Sequence, residues 1–370
     1  MTIELKSADT SREEAMRAGA RNLLLGCAGV ETGDHVLLVR EDARHGYYHD
    51  DAADFVADEA TALGARVHSL RTPRIDGPEH FPSLIAGAME GADHTIFFSR
   101  IGDQLRFDAL PGPGTKTMTY AVDGGYLGSG FCTVPHGLMV ELLDLFHAAL
   151  DGFREWRVTS ANGTDASGQC AASPVKQSRA TEFTLRLFPV MIFRPISCAS
   201  MTGRVVLDRW IASTNTHIHD PHAVILSGPV AMVVEGGRIA AFEGARSAVG
   251  EARGFYDRGS SKLGLDADVI HSWHTGINPQ TFYPYPPEEN LTRWANMVFG
   301  SPRYTHFHTC GDYAPGEISW PLIDATVSFD GVDYWRDGRF LFLDRPEVRA
   351  LLDKYPGAAR AFEMRTDIGV

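Results

Sequence analysis

The feature that most constrains the fold is an alternation of buried strands and amphipathic helices along the first third of the chain. Residues 12–25 place Ala15, Ala18, Leu23 and Leu24 among Glu13, Glu14, Arg17 and Arg21, the pattern of a helix with one apolar face. A turn cluster at 29–34 leads to the apolar run 35–40, which reads as a buried strand. Residues 50–63 then carry Ala52, Phe55, Val56, Glu59, Ala60 and Leu63 at helical spacing, and Gly64 stops the helix before a strand at 65–70. A further helix near 81–89 and a strand at 93–99 repeat the unit. Strand–helix–strand repeats close only as a parallel sheet covered by helices. No Gly-x-Gly-x-x-Gly follows the first strand, so a dinucleotide fingerprint is not supported.

The texture changes near residue 155, after a helical pattern at 134–150. Short apolar strands at 181–187, 204–208, 230–235 and 238–243 are separated by Gly, Pro and Ser turns. Gly236 and Gly237 supply the positive φ that a tight hairpin between the last two requires. The expected architecture is an α/β, Rossmann-like domain over 1–155 with a parallel sheet. A β-rich α+β domain over 156–370 follows and carries the chemistry.

Composition narrows the function classes. The chain has 370 residues, 44% of them apolar, and a formal net charge of −13 with no basic tract to offset it. Nucleic acid and anionic membrane surfaces are therefore excluded as expected partners. No apolar run reaches the length of a membrane span, and the N-terminal residues lack the pattern of a secretory signal. The five cysteines, Cys27, Cys132, Cys170, Cys198 and Cys310, show no Cys-x-x-Cys spacing and read as reduced thiols of a cytoplasmic protein.

Chemistry is signalled by histidine. Seven of the 15 histidines fall in three short windows: His217, His219 and His222; His271 and His274; His306 and His308. His306 and His308 are two apart among strand formers, which points both rings to one face and makes half of a metal site. The alternatives are a solvated strand face or substrate hydrogen-bonders. His274 reads as a ligand or substrate contact, or else as a core histidine. His271, three residues earlier, is expected on the opposite face unless a turn intervenes. Glu317 follows Pro315-Gly316 and could complete a two-histidine, one-carboxylate set, the usual arrangement for Fe(II); a surface carboxylate is the alternative. Asp312 and Tyr313 follow the pair directly, and Tyr313 could donate a proton or stabilise an oxyanion, or be a core tyrosine. Asp220-Pro221 marks a turn, so His217, His219 and His222 read either as a mobile, histidine-rich loop or as a loop that folds over a neighbouring subunit's pocket, where His217 and His219 would contact substrate. Trp273, Phe282, Tyr283, Tyr285 and Trp294 read either as a wall for a flat ring or as core.

The order of several short motifs resembles the aminopeptidase T family of metallo-aminopeptidases and its offshoot, the 2,5-dihydroxypyridine 5,6-dioxygenases. The motifs are Gly29-Val-Glu-Thr-Gly-Asp-His-Val, Phe193-Arg-Pro, Gly203-Arg-Val-Val-Leu-Asp, Val234-Glu-Gly-Gly-Arg-Ile, Gly276-Ile-Asn-Pro and Pro321-Leu-Ile-Asp-Ala-Thr-Val. The resemblance implies a metal-binding histidine with a catalytic tyrosine seven residues later, a spacing that His306 and Tyr313 keep. The family's two glutamate slots here read Val190 and Ser272, and its His-x-Asp pair reads Glu317-Ile-Ser319. Ser319 thus becomes a candidate substrate contact. Loss of the acidic ligands argues against a two-metal peptidase and for one rearranged ion. The leading expectation is a mononuclear Fe(II) dioxygenase of small hydroxylated aromatic or N-heterocyclic rings, assembled as a homo-oligomer. The alternatives are a Zn(II) hydrolase and a metal-free binding protein on the same scaffold.

Overall fold

A computed structural model describes residues 2–73, 75, 78–106, 108–170, 184–213, 219, 221–311 and 317–370. The chain divides into two compact units, Met1–Glu141 with Phe183–Val190 and Leu351–Ala361, and Leu142–Glu182 with Met191–Ala350 and Phe362–Val370.

The first unit holds the expected parallel sheet. Its strands run in the order Arg66–Thr72, His35–Glu41, His94–Phe98, Thr115–Thr119, Arg186–Phe188, every neighbouring pair parallel. Val36, Leu38, Val39, Ile96 and Phe97 are fully buried, as consecutive apolar residues covered on both faces must be. The helices Asp50–Ala62 and Ser83–Glu90 lie within one or two residues of where their apolar spacing put them. The strand at Arg186–Phe188 departs from expectation. Its sequence pattern groups it with the β-rich half, but it extends the parallel sheet beside Thr115–Thr119. Its sequence carries no sign of which partner it takes, because pairing is a non-local choice.

Among its described residues, the second unit holds two antiparallel sheets. The larger has eight strands and contains the expected hairpin Val230–Glu235 and Arg238–Gly244, turned at Gly236 and Gly237 with φ of 56° and 76°. The smaller has six strands in the order Ala223–Ile225, Trp210–Ser213, Ile318–Ile323, Tyr304–Thr309, Ile270–Thr275, Ile196–Ser197. The sheets meet through aromatic rings: Trp273 lies 5.2 Å from Trp156 and 6.2 Å from Phe329, both on strands of the larger sheet. Phe307 lies on the same side, 6.3 Å from Trp273. Alternation then commits the neighbours of Trp273 and Phe307 to the other face. Among the described residues, no helix is long and apolar enough to cross a membrane.

Candidate metal centre

Three central strands of the smaller sheet carry the candidate site. Register sets His274 directly opposite His306, and Ser272 opposite His308, which in turn faces Ser319. Period-2 alternation makes Tyr304, His306 and His308 one column and Ser272 and His274 the next. Every one of these side chains is buried. The ring nitrogens of His274, His306 and His308 converge, one from each lying within 4.8 Å of the others. The closest approach, His274 Nε2 to His306 Nε2, is 2.9 Å.

Backbone and hydroxyl groups fix the rings. His274 Nδ1 lies 3.0 Å from the Phe193 carbonyl oxygen. A carbonyl only accepts, so Nδ1 carries the proton, and in the neutral ring Nε2 presents its lone pair to His306. Phe193 is free to do this because of Pro195. The edge strand pairs Ile196 and Ser197 with Trp273 and Ser272, and a single bridge joins Ile192 to Gly276. Proline lacks the N–H that would continue the ladder between those points. Phe193 and Arg194 leave it, and their peptide turns to side chains instead. Ser272 Oγ lies 2.9 Å from His271 Nδ1 and 3.1 Å from His308 Nδ1, orienting both rings.

A second group overlaps the first at His308. His271, His308 and Glu317 also offer ligand atoms within 4.8 Å of one another. Glu317 is 4% exposed, with Oε1 3.6 Å from His271 Nδ1 and 3.8 Å from His308 Nδ1. His271 was expected on the wrong face. The ladder passes from Ile270–Thr309 to Ser272–His308, so His271 is the extra residue of a bulge. A bulge re-aims a side chain that strict alternation would send away. The chain leaves the His308 strand through Cys310 and Gly311, at φ of 66° and 101°, and re-enters the sheet at Ile318, directly after Glu317. Burial pushes the Cys310 thiol up to about 12.

The donor set fits a metal ion. The rings are buried and convergent, and the distal nitrogen of His274 is anchored on a backbone carbonyl, the outer-shell arrangement that ligating histidines use. Two Nε2 atoms 2.9 Å apart also need either a proton or a cation between them. Four imidazoles and one carboxylate suit Fe(II) or Zn(II), and no pair of carboxylates is present in either group to bridge two ions.

Several expected site residues take other places. Trp273 is fully buried on the opposite face, between Trp156, Phe193 and Phe307, so its reading as a substrate contact is corrected: it is inter-sheet core. The aromatic wall dissolves in the same way. Phe282 lies 3.9 Å from the Arg365 guanidinium, Trp294 Nε1 donates to the Ile368 carbonyl at 2.8 Å, and Tyr285 is exposed. These rings pack the C-terminal segment because they lie beyond the strand end. Gly276 admits a close backbone neighbour, since a Cβ there would meet the Gly300 carbonyl carbon at 2.2 Å. His219 is buried and stacked on Phe255 at 5.4 Å. His222 is likewise buried, its Nδ1 2.6 Å from Ser213 Oγ. Asp312, Tyr313 and His217 lie outside the described residues. Ser319 is buried opposite His308, and its hydroxyl bonds the Tyr304 phenol. Burial pushes the Tyr304 phenol up, so it remains protonated beside the imidazoles. Sequence reasoning missed Tyr304 and the anchors Phe193 and Ser272. Tyr304 had a usable signal, since it is two residues from His306; the anchors had none.

Among solved structures the chain is similar to a 2,5-dihydroxypyridine dioxygenase from Pseudomonas putida KT2440. The TM-score is 0.61, with 16% identity over 88% of this chain and 96% of that one. It is also similar to wild-type AmpT, aminopeptidase T, from Thermus thermophilus, with a TM-score of 0.52 and 12% identity over 89% of this chain and 99% of that one. This chain shares their fold. The resemblance read from short motifs therefore holds for the two-part architecture, α/β with a parallel sheet and then β-rich. No family model and no curated protein matches the sequence significantly.

Proposed function

We propose that this protein is a mononuclear metal enzyme whose ion is held by His308 with His274, His306, His271 and Glu317 arranged about it. The observation that carries the reading is the convergence of buried imidazoles, with His274 anchored through its far nitrogen on Phe193 O and with Ser272 Oγ bonded to His308. Fe(II) is the ion we favour, because His271, His308 and Glu317 form a two-histidine, one-carboxylate group. The substrate class we favour is a small hydroxylated aromatic or N-heterocyclic ring, and the likeness to a dioxygenase supports that choice.

When bound, Fe(II) supplies the one-electron chemistry that lets dioxygen react with a closed-shell ring. The chain's own residues do the remainder. Phe193 fixes the tautomer of His274 and Ser272 orients the rings of His271 and His308, so little reorganisation is needed when a ligand enters. Glu317, a buried carboxylate beside two imidazoles, offsets positive charge and can take the proton of a ring hydroxyl. Tyr304 keeps its proton and offers an uncharged polar contact through Ser319.

A Zn(II) hydrolase is the second reading. It is favoured by the all-imidazole group His274, His306 and His308, a set that also binds catalytic zinc with one position open. Metal analysis of protein purified without chelator separates the two. Iron, with oxygen uptake on adding hydroxylated pyridines or related ring acids, supports the oxygenase. Zinc, with turnover that is equal under nitrogen and air, overturns it in favour of the hydrolase.

A further inference from the structure

One peptide group links the candidate centre to a histidine outside it. The Phe193–Arg194 peptide accepts from His274 Nδ1 on its carbonyl, at 3.0 Å. The N–H of that same peptide donates to His147 Nε2, at 3.1 Å. Both ends of one amide are thus held by imidazoles. His147 lies in the last turn of the helix His136–Leu150, and all three partners belong to the second unit. An amide polarised by an acceptor at its N–H presents a stronger acceptor at its oxygen. Pro195 and the interrupted edge ladder leave this peptide with side-chain partners where a strand neighbour would otherwise sit.

We propose that His147 is a positioning residue for His274: through the Phe193–Arg194 peptide it fixes the tautomer that leaves His274 Nε2 bare for a divalent cation. The proposal rests on the reading of His274 as a metal ligand. It requires His147 to be neutral, since only a neutral ring can accept at Nε2. Its surroundings meet that requirement. Burial first, and then the Arg194 guanidinium, lower His147 to about 4, against the opposing pull of Asp144 one turn back on the helix. Arg194 is itself paired with Asp151. His147 therefore serves as a lone-pair acceptor throughout the physiological range.

The experiment is a Co(II) titration of the full-length protein beside nitrogen-15 NMR of the histidine rings, on wild type, His147→Leu and His147→Gln. Leucine removes the acceptor, and glutamine supplies another through its side-chain oxygen. We expect His147→Leu to weaken Co(II) binding by about tenfold, the lower end for outer-shell changes at metal sites. His274 in that variant should lose its pure Nδ1–H signature, and His147→Gln should restore both. Wild-type affinity and an unchanged His274 signal in His147→Leu overturn the proposal. The two readings fail separately. If wild type binds no Co(II) but the His274 signal still responds to His147→Leu, the metal reading falls and the relay stands. Should His147→Leu not fold, wild type still decides. A scalar coupling across the Arg194 N–H to His147 Nε2 supports the relay, and a rapidly exchanging Arg194 amide overturns it.

Discussion

Among the described residues, the imidazoles of His35 and His68 and those of His274 and His306 come within hydrogen-bonding distance, and the second of these pairs has the makings of a site. In the first unit, His35 Nδ1 lies 3.2 Å from His68 Nε2, the rings stacked at 5.5 Å and 2°. In the second, His274 and His306 approach at 2.9 Å. The first pair is open to solvent at a sheet edge, and the Arg66 guanidinium stands 3.3 Å from His35 Nε2, where a cation would have to arrive. The second pair is buried, has His308 as a third donor, and keeps its tautomer through Phe193. Distance alone does not distinguish them. Convergence of a third donor, exclusion of water and a fixed proton do.

Burial of the second pair depends on the aromatic layer behind it, and removing that layer is the most severe test. Trp273→Ala should cost about 4 kcal/mol of unfolding free energy, as large-to-small changes in aromatic cores do. Denaturant unfolding measures it, and a loss below about 1 kcal/mol would mean that the face behind His274 is not core. Next in size is His308→Ala, which removes the residue common to both ligand groups. Co(II) or Zn(II) affinity should fall by more than about 100-fold, or roughly 2.7 kcal/mol. Undiminished binding in that variant would dissolve the contrast between the two pairs.

A pH effect of smaller size comes from histidines outside both pairs. Burial is the first cause that lowers His136 and His147 to about 4 from an ordinary 6.5. Unfolded chains therefore bind more protons than folded ones between those values, and stability rises with pH across the window. The contribution is complete above 6.5 and is lost as pH falls toward 4, by on the order of 2 kcal/mol after allowing for solvent screening. Urea unfolding at several pH values should show this slope, and His136→Gln should flatten part of it; an unaltered slope would show that His136 is not responsible. Smaller again is Ser272→Ala. Losing the hydroxyl between His271 and His308 should weaken metal binding by about tenfold, with little change in stability. Smallest of all is His68→Ala, which should alter stability by under about 0.5 kcal/mol and metal affinity not at all. A metal-binding defect in His68→Ala would return the exposed pair to consideration.

Local pattern determined a good deal of this protein. The strands His35–Glu41 and His94–Phe98 followed from apolar spacing, because a strand covered on both faces must be apolar throughout, whereas Thr115–Thr119, with its alternating threonines, gave no such run. The Gly236-Gly237 hairpin followed from the φ that its turn demands. The shared face of His306 and His308 followed from alternation, which is a property of any strand. Three things belonged to tertiary structure. Which strands became neighbours set His274 against His306 and sent Arg186–Phe188 to the parallel sheet; pairing links residues far apart in sequence, and no local window encodes it. Face assignment made Trp273 core, since the side that meets the second sheet depends on what that sheet offers. A single inserted residue then turned His271 toward Glu317 against strict alternation, through a bulge that exists only once a partner strand is present to define it.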